Sequence, residues 1–247
     1  IVKAEVLPFL DEKYSVRHAQ SVIRAVGVPT ERKKALLAQL RNMTGISVFD
    51  SERDGDLRLE LLYNDDSPKM AVDEAVRLAA ESLNDYTYAV DDTPLNRRIY
   101  EMLKLRGMKL SVAESFTGGG VAKKLIEVPG VSEVLFESIV AYDNGSKMRR
   151  LGVQQSTLAR CGAVSDDTVY EMAAGLIATG NCSVSLATTG IAGPASDNTN
   201  KPVGLCYIAV GTRETVFVYK YIFRGGREDI TRRAINQALF LLYKQIK

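Results

Sequence analysis

Leu110-Ser111-Val112-Ala113-Glu114-Ser115-Phe116-Thr117-Gly118-Gly119-Gly120 is the stretch that decides the fold. Its first four residues form a short apolar run that reads as a buried strand. Small and polar residues end the run. Three glycines then open a helix whose apolar positions include Val121, Ala122, Leu125 and Ile126. A strand that turns through glycines into a helix directs several backbone N–H groups at one spot, and the helix dipole makes that spot favour an anion. Ser115 lies in the turn, where its hydroxyl is free to face a ligand. The reading is a serine nucleophile beside a phosphate cradle. The bland alternatives are a capping serine and glycines that serve only close helix–sheet packing.

Working outward towards the C-terminus, strands and helices alternate, which predicts a parallel sheet covered on both faces. Leu95, Ile99, Met102 and Leu103 mark a helix that ends at Gly107, with Thr93 as its expected N-cap and Pro94 at its first position. Ile139 to Tyr142 reads as a strand, followed by a polar turn at Asp143 to Ser146 and then Lys147. Ser165 caps a helix bearing Val169, Met172, Ala173, Leu176 and Ile177 on one face. Val184 to Ala187 is a buried strand ending at Thr188-Thr189-Gly190. Val203 to Val210 and Val216 to Phe223 form an antiparallel pair at the sheet edge, joined by a turn at Gly211 to Glu214. The last helix runs from Glu228 to about Lys244 with Ile230, Ala234, Ala238 and Leu241 inward.

Towards the N-terminus, Asp91-Asp92-Thr93-Pro94 marks a boundary, so the domains are 1–90 and 91–247. Residues 1–16 read as a helical remnant from Ala4 to Tyr14, interrupted at Pro8. A chain that starts at Ile1 reads as a fragment of a longer protein. Residues 21–90 give the order β-α-β-β-α-β. The strands are Ser21–Val26, Ile46–Asp50, Leu57–Tyr63 and Thr87–Val90. One helix is opened by Pro29-Thr30 and the other by Pro68. The layout resembles a KH-type α+β module, yet Gly27-Val28-Pro29-Thr30 lacks the GXXG clamp, so a spacer or interaction module is expected.

Composition narrows the function. Apolar residues make up 46% of 247, enough for a packed core, and the net charge of +2 gives no concentrated basic face for nucleic acid. No apolar run is long enough to span a bilayer and no secretory signal leads the chain, so the expected location is the cytoplasm. Cys161, Cys182 and Cys206 lack CxxC spacing and read as reduced thiols. A single histidine, His18, leaves nothing to build a His-ligated zinc centre and would have to cross the whole chain to join a triad with Ser115. The glycines miss GxGxxG because Lys123 takes the last glycine place, and neither Walker A, GxSxG nor a serine-led SxxK is present. What survives is a serine with Lys147 or Tyr142 as base. A lysine base needs burial or a nearby cation to lower its pKa, and Arg149, Arg150 and Arg227 are the candidate cations. Three loops leave the C-terminal ends of expected strands, at 114–120, 143–147 and 188–194. In an open parallel sheet this edge is where ligands bind, so Ser115, Tyr142, Lys147 and Thr189 are expected to converge there.

These residues also carry a resemblance. Residues from about 93 to 247 resemble the C-terminal nicotinamide-nucleotide amidohydrolase domain of the competence/damage-inducible CinA proteins. Five ordered blocks carry it: Ala113 to Gly119; Ala141-Tyr142-Asp143-Asn144 through Lys147 to Val153; Gly162-Ala163-Val164-Ser165; Thr189 to Pro194 with Lys201-Pro202-Val203-Gly204; and Phe223 to Arg227. Residues 1–90 resemble the region of full-length CinA proteins that ends the molybdopterin-binding-like domain and continues into a KH-like module. The resemblance implies a three-layer α/β/α domain with a mixed sheet. It also implies deamidation of nicotinamide mononucleotide to nicotinate mononucleotide and ammonia. Carried over, Ser115 is the nucleophile, Lys147 with Tyr142 activates it, and Thr189 with nearby N–H groups stabilises the oxyanion. The substrate is held by Glu114, Thr117, Gly118, Gly119, Gly190 and Arg227, the glycine loop and Arg227 taking the ribose phosphate. No metal or organic cofactor is implied. The partner is the small nucleotide, without membrane or nucleic acid, and the open edge after Val216 suggests a homodimer. Phe116 stands where the family usually has Cys, and Gly226 where Asp usually precedes the arginine. A Phe116 that blocked the pocket would mark instead a nucleotide-binding regulatory protein with a decayed site.

Overall fold

The computed structural model describes residues 18–194 and 200–247, which fall into two compact units divided between Thr93 and Pro94. The expected helical remnant at 4–14 lies outside the described residues. No helix among the described residues is long and apolar enough to cross a membrane.

The N-terminal unit runs β1 (His18–Val26), α1 (Thr30–Arg41), β2 (Ser47–Arg53), β3 (Asp56–Asn64), α2 (Lys69–Leu83) and β4 (Thr87–Ala89). Its sheet has the order β2-β3-β1-β4 with every pairing antiparallel, the split β-α-β arrangement. Ile23, Leu57, Leu59 and Leu61 alternate onto one face and meet Leu36, Leu37 and Leu40 of α1 and Ala75, Ala79 and Leu83 of α2. The β2–β3 hairpin is tighter than the expected turn at 51–55. Arg53 pairs with Asp56, leaving only Asp54 and Gly55, both at positive φ, as the two-residue loop.

The C-terminal unit begins with α3 (Leu95–Leu105). Its N-cap is Pro94 without a side-chain bond, so Thr93 is not the cap. Then follow β5 (Leu110–Glu114), α4 (Gly120–Ile126), β6 (Leu135–Val140), α5 (Asn144–Leu151), α6 (Gln155–Cys161), α7 (Asp166–Ala178), β7 (Val184–Gly190), β8 (Leu205–Thr212), β9 (Val216–Ile222) and α8 (Arg227–Ile246). The sheet order is β6-β5-β7-β8-β9, parallel across β6-β5-β7 and antiparallel from β7 to β9. Helices α3, α4 and α8 cover one face and α5, α6 and α7 the other, which makes the expected three-layer mixed sheet. Two corrections bear on the site. The polar run after β6 is not a turn: Asp143 accepts from Gly145 N–H and caps α5, so Lys147 rides on a helix. The short helix α6 has no counterpart in the sequence reading.

Register assigns every inward side chain to a layer. Ala113, Ala187 and Ala209 face α7 and pack with Val169, Met172, Ala173 and Leu176. Cys206 faces α8 and packs with Phe116, Ile230 and Ala234. Strand β5 lies between two parallel neighbours. The connection to β6 passes through α4 on one face, and the return to β7 passes through α5–α7 on the other. The reversal point is therefore the C-terminal end of β5, where Ser115 stands.

Candidate active site

Alternation along β5 carries into the loop that follows it. Glu114 and Phe116 go to the α4/α8 side, and Ser115 between them goes to the α5 side. There Lys147, 1% exposed, donates to the carbonyl oxygens of Ala141 at 2.8 Å and Tyr142 at 3.2 Å, and its Nζ is 3.1 Å from Ser115 Oγ. Burial holds the Lys147 pKa below the ordinary lysine range, against the opposing charge of Asp143. A neutral amine has two N–H bonds and one lone pair. In its neutral form the amine gives both hydrogens to the carbonyls and keeps its lone pair for Ser115 Oγ–H, whereas the ammonium donates to Ser115 Oγ. The site can therefore take a proton from a serine held at hydrogen-bond distance, the arrangement a nucleophile and its base require.

Glu114 is not a rim residue. It is fully buried, and its carboxylate accepts from the N–H groups of Gly119 at 3.0 Å, Val121 at 3.0 Å and Ala122 at 2.9 Å, with Ser138 Oγ–H at 3.4 Å. The anion at the start of α4 is thus the protein's own. Gly118 N–H bonds Ser115 O and Gly120 N–H bonds Thr117 O. The expected phosphate cradle gives way, because the N–H groups from Gly118 to Ala122 are all engaged internally. Gly118 itself is exposed at φ +60 with open space beside it.

Thr189 is fully buried and its hydroxyl donates to Ala163 O at 2.7 Å. The expected oxyanion donor thus spends its proton on the α6–α7 connection. Thr117, 4% exposed, pairs its hydroxyl with that of Thr188 at 2.8 Å and serves the loop rather than a ligand. Gly190 is required by packing. A Cβ there would lie 2.7 Å from Cys206 Cβ and 3.0 Å from Phe116 Cε1.

Tyr142 is exposed and does two jobs. Its carbonyl serves Lys147, while its hydroxyl accepts from Arg227 at 3.1 Å. Arg227 also donates to Gly193 O at 2.7 Å. Tyr142 thus ties the buried lysine to an exposed arginine on the first turn of α8, but its hydroxyl is directed to Arg227 rather than to Ser115. Phe116, 6% exposed, is core on the α8 side of the sheet, away from Lys147.

The sequence places Lys201 in one of the resembling blocks without giving it a role; in the structure its ammonium donates to Cys161 O at 2.8 Å and Val164 O at 2.6 Å. It clamps the C-terminal end of α6, where a cation also meets the helix dipole. The Lys201-Pro202 pair was the available signal, once α6 is known to end nearby.

Residues 92–246 match the family described as CinA C-terminal domain. The chain belongs to the CinA family. It is 34% identical over 246 residues to a putative competence-damage inducible protein of Caldicellulosiruptor saccharolyticus, covering 98% of this chain and 60% of that one. It is 39% identical over 210 residues to a CinA-like protein of Fusobacterium nucleatum, covering 80% and 51%. The chain therefore spans roughly half to three fifths of these relatives. Among solved structures, the competence/damage inducible protein CihA of Agrobacterium tumefaciens superposes with a TM-score of 0.60 at 36% identity, over 62% of this chain and 94% of that one. A competence or damage-inducible protein from Enterobacter asburiae gives 0.60 at 30% identity, over 62% and 96%. The CinA fold is thus shared over about three fifths of this chain.

Proposed function

We propose that this CinA-family chain hydrolyses the carboxamide of nicotinamide mononucleotide, releasing ammonia and nicotinate mononucleotide, with Ser115 as nucleophile and Lys147 as base. The observation that carries the proposal is the 3.1 Å contact between a buried lysine and a serine at the reversal point of the sheet. The Ser115 proton passes to Lys147 Nζ as Oγ bonds to the amide carbon and the carbonyl electron pair moves to oxygen. The C–N bond then breaks, and Lys147 returns the proton to the leaving nitrogen as ammonia departs. Water attacks the resulting ester, giving a proton to Lys147, which passes it to Ser115 Oγ as that bond opens. Arg227, exposed and on the positive end of α8, is the group offered for the phosphate, since the glycine loop is filled by Glu114. The core position of Phe116 supports this reading over a decayed site, because a pocket blocked by Phe116 is one of the features that would favour that alternative.

For the remainder, the N-terminal unit acts as a spacer or interaction module. The open edge of β9, with Phe217 and Ile222 exposed, is the surface for a homodimer. The free thiols of Cys161, Cys182 and Cys206 fit the cytoplasm.

The test is ammonia release from nicotinamide mononucleotide by the chain beside Ser115→Ala and Lys147→Met. Both variants should lose at least about 10³-fold in kcat. Turnover that survives Ser115→Ala overturns the nucleophile, and an inactive parent that still binds the nucleotide supports the regulatory alternative.

A further inference from the structure

The eight backbone N–H groups from Ser115 to Ala122 are nearly all accounted for. Ser115 N–H bonds Thr188 O at 3.1 Å, Gly118 N–H bonds Ser115 O at 3.1 Å and Gly120 N–H bonds Thr117 O at 2.9 Å. Gly119, Val121 and Ala122 donate to Glu114. Two remain. Phe116 N–H and Thr117 N–H have no acceptor among the described residues, although both residues are more than nine-tenths buried.

An unpaired donor in buried surroundings is costly, about 1–3 kcal/mol. In native structures each such donor has a reason, and a catalytic role is one of them. These two follow directly after the serine whose hydroxyl faces the buried lysine. They are the middle residues of the turn closed by Gly118 N–H and Ser115 O. Beneath a helix N-cap it is the N–H two residues on that points back to the capping side chain, the place Thr117 holds here, and at the serine of a nucleophile elbow the N–H of the next residue, the place of Phe116, faces the oxyanion. Both are also held on each side. Thr188 grips the turn twice, through its carbonyl to Ser115 N–H and its hydroxyl to Thr117, and Glu114 fixes the backbone beyond.

We propose that Phe116 N–H and Thr117 N–H form the oxyanion site of the reaction, taking the amide oxygen as Ser115 Oγ bonds to the carbon. The inference rests on the serine–lysine reading above and replaces Thr189, whose hydroxyl is spent on Ala163. It assigns Glu114 a part as well. A carboxylate next to the nucleophile opposes a developing oxyanion unless its charge is already matched, and here three N–H groups and the α4 dipole match it. Glu114 is a positioning residue that holds the loop and does not touch the substrate.

The probe is the 3-aldehyde analogue of nicotinamide mononucleotide. Ser115 Oγ adds to the aldehyde carbon and the carbonyl oxygen becomes the hemiacetal oxygen, with no leaving group to depart. The expected inhibition constant lies at least about tenfold below KM, as for a transition-state mimic. A crystal structure of the adduct should put the hemiacetal oxygen within about 3.2 Å of both the Phe116 and Thr117 nitrogens. In solution, the amide protons of those two residues should move downfield on binding, and Ser115→Ala should abolish both effects. An adduct whose oxygen accepts from other donors overturns the oxyanion assignment and leaves the nucleophile standing. A chain that releases ammonia yet forms no adduct overturns the nucleophile itself, and the oxyanion assignment with it.

Discussion

Lys147 Nζ stands 3.1 Å from Ser115 Oγ and is held there by two carbonyl oxygens, those of Ala141 and Tyr142. The carbonyls do more than place the nitrogen. They use two of its tetrahedral directions and leave the third for the serine, so orientation is set before any substrate arrives. The absence of a usable histidine in this unit is therefore no obstacle to nucleophilic chemistry.

The pH profile of kcat/KM follows from the protonation of that nitrogen. Only neutral Lys147 can take the serine proton. Activity should rise with pH as one proton leaves, with an inflection below the ordinary lysine range of about 10.4. Because burial lowers the folded pKa, the unfolded chain binds more protons in the window between the folded and ordinary values, and stability should also rise with pH there. Lys147→Met should lose activity and flatten the stability increase. A profile with no rising limb would sink the base assignment.

Thr189→Val separates two roles for one hydroxyl. Loss of an oxyanion donor costs about 10²–10³ in kcat. Loss of a structural bond to Ala163 O costs stability of about 1–2 kcal/mol with kcat largely kept. The 2.7 Å bond to Ala163 predicts the second outcome, read from a denaturant curve beside steady-state kinetics.

Glu114→Ala should be among the most damaging single changes in the unit. It strands three backbone donors at the start of α4, and bonds to a charged acceptor contribute about 1.5–3 kcal/mol each. Glu114→Gln keeps the shape and one good acceptor, so it should fold and retain part of the activity. Phosphate inhibition should be unchanged in Glu114→Gln and weakened in Arg227→Ala. The reverse pattern would return the phosphate to the glycine loop.

How legible this was depended on what each residue answers to. The buried strands and the inner faces of α7 and α8 follow from apolar periodicity, which the solvent imposes directly. The meeting of Ser115 with Lys147 was also readable, because both follow the C-terminal ends of strands that any α/β sheet brings side by side. Asp143-Asn144-Gly145-Ser146 is turn-like in composition and predicts a turn, and only the Asp143 cap reveals helix α5. Short polar α6 has too little apolar period to announce itself. The internal bonds of Glu114 and Thr189 are illegible in the sequence for a common reason. Polar residues beside a nucleophile look functional in a sequence, whereas pleat parity and backbone bonds, which are tertiary facts, decide whether they face a ligand or the protein.

Gly175 shows how far from the chemistry such control extends. It lies on α7 where α5 passes, and a Cβ there would stand 1.8 Å from Leu151 O, the last carbonyl of α5. A carbon–oxygen contact needs about 3.3 Å, so Gly175→Ala must push the end of α5 away by roughly 1.5 Å or distort α7. Lys147 sits one turn before Leu151, and its two carbonyl partners are on the segment that enters α5. Moving the helix therefore moves Nζ from Ser115 Oγ, and misplacement by about 1 Å can cost on the order of 10²-fold. The expected result is a folded, destabilised protein with kcat reduced by about that factor and KM little changed, since Arg227 belongs to a helix on the other face. Measured kinetics with unchanged kcat would mean that the catalytic lysine is not held by the α5–α7 contact.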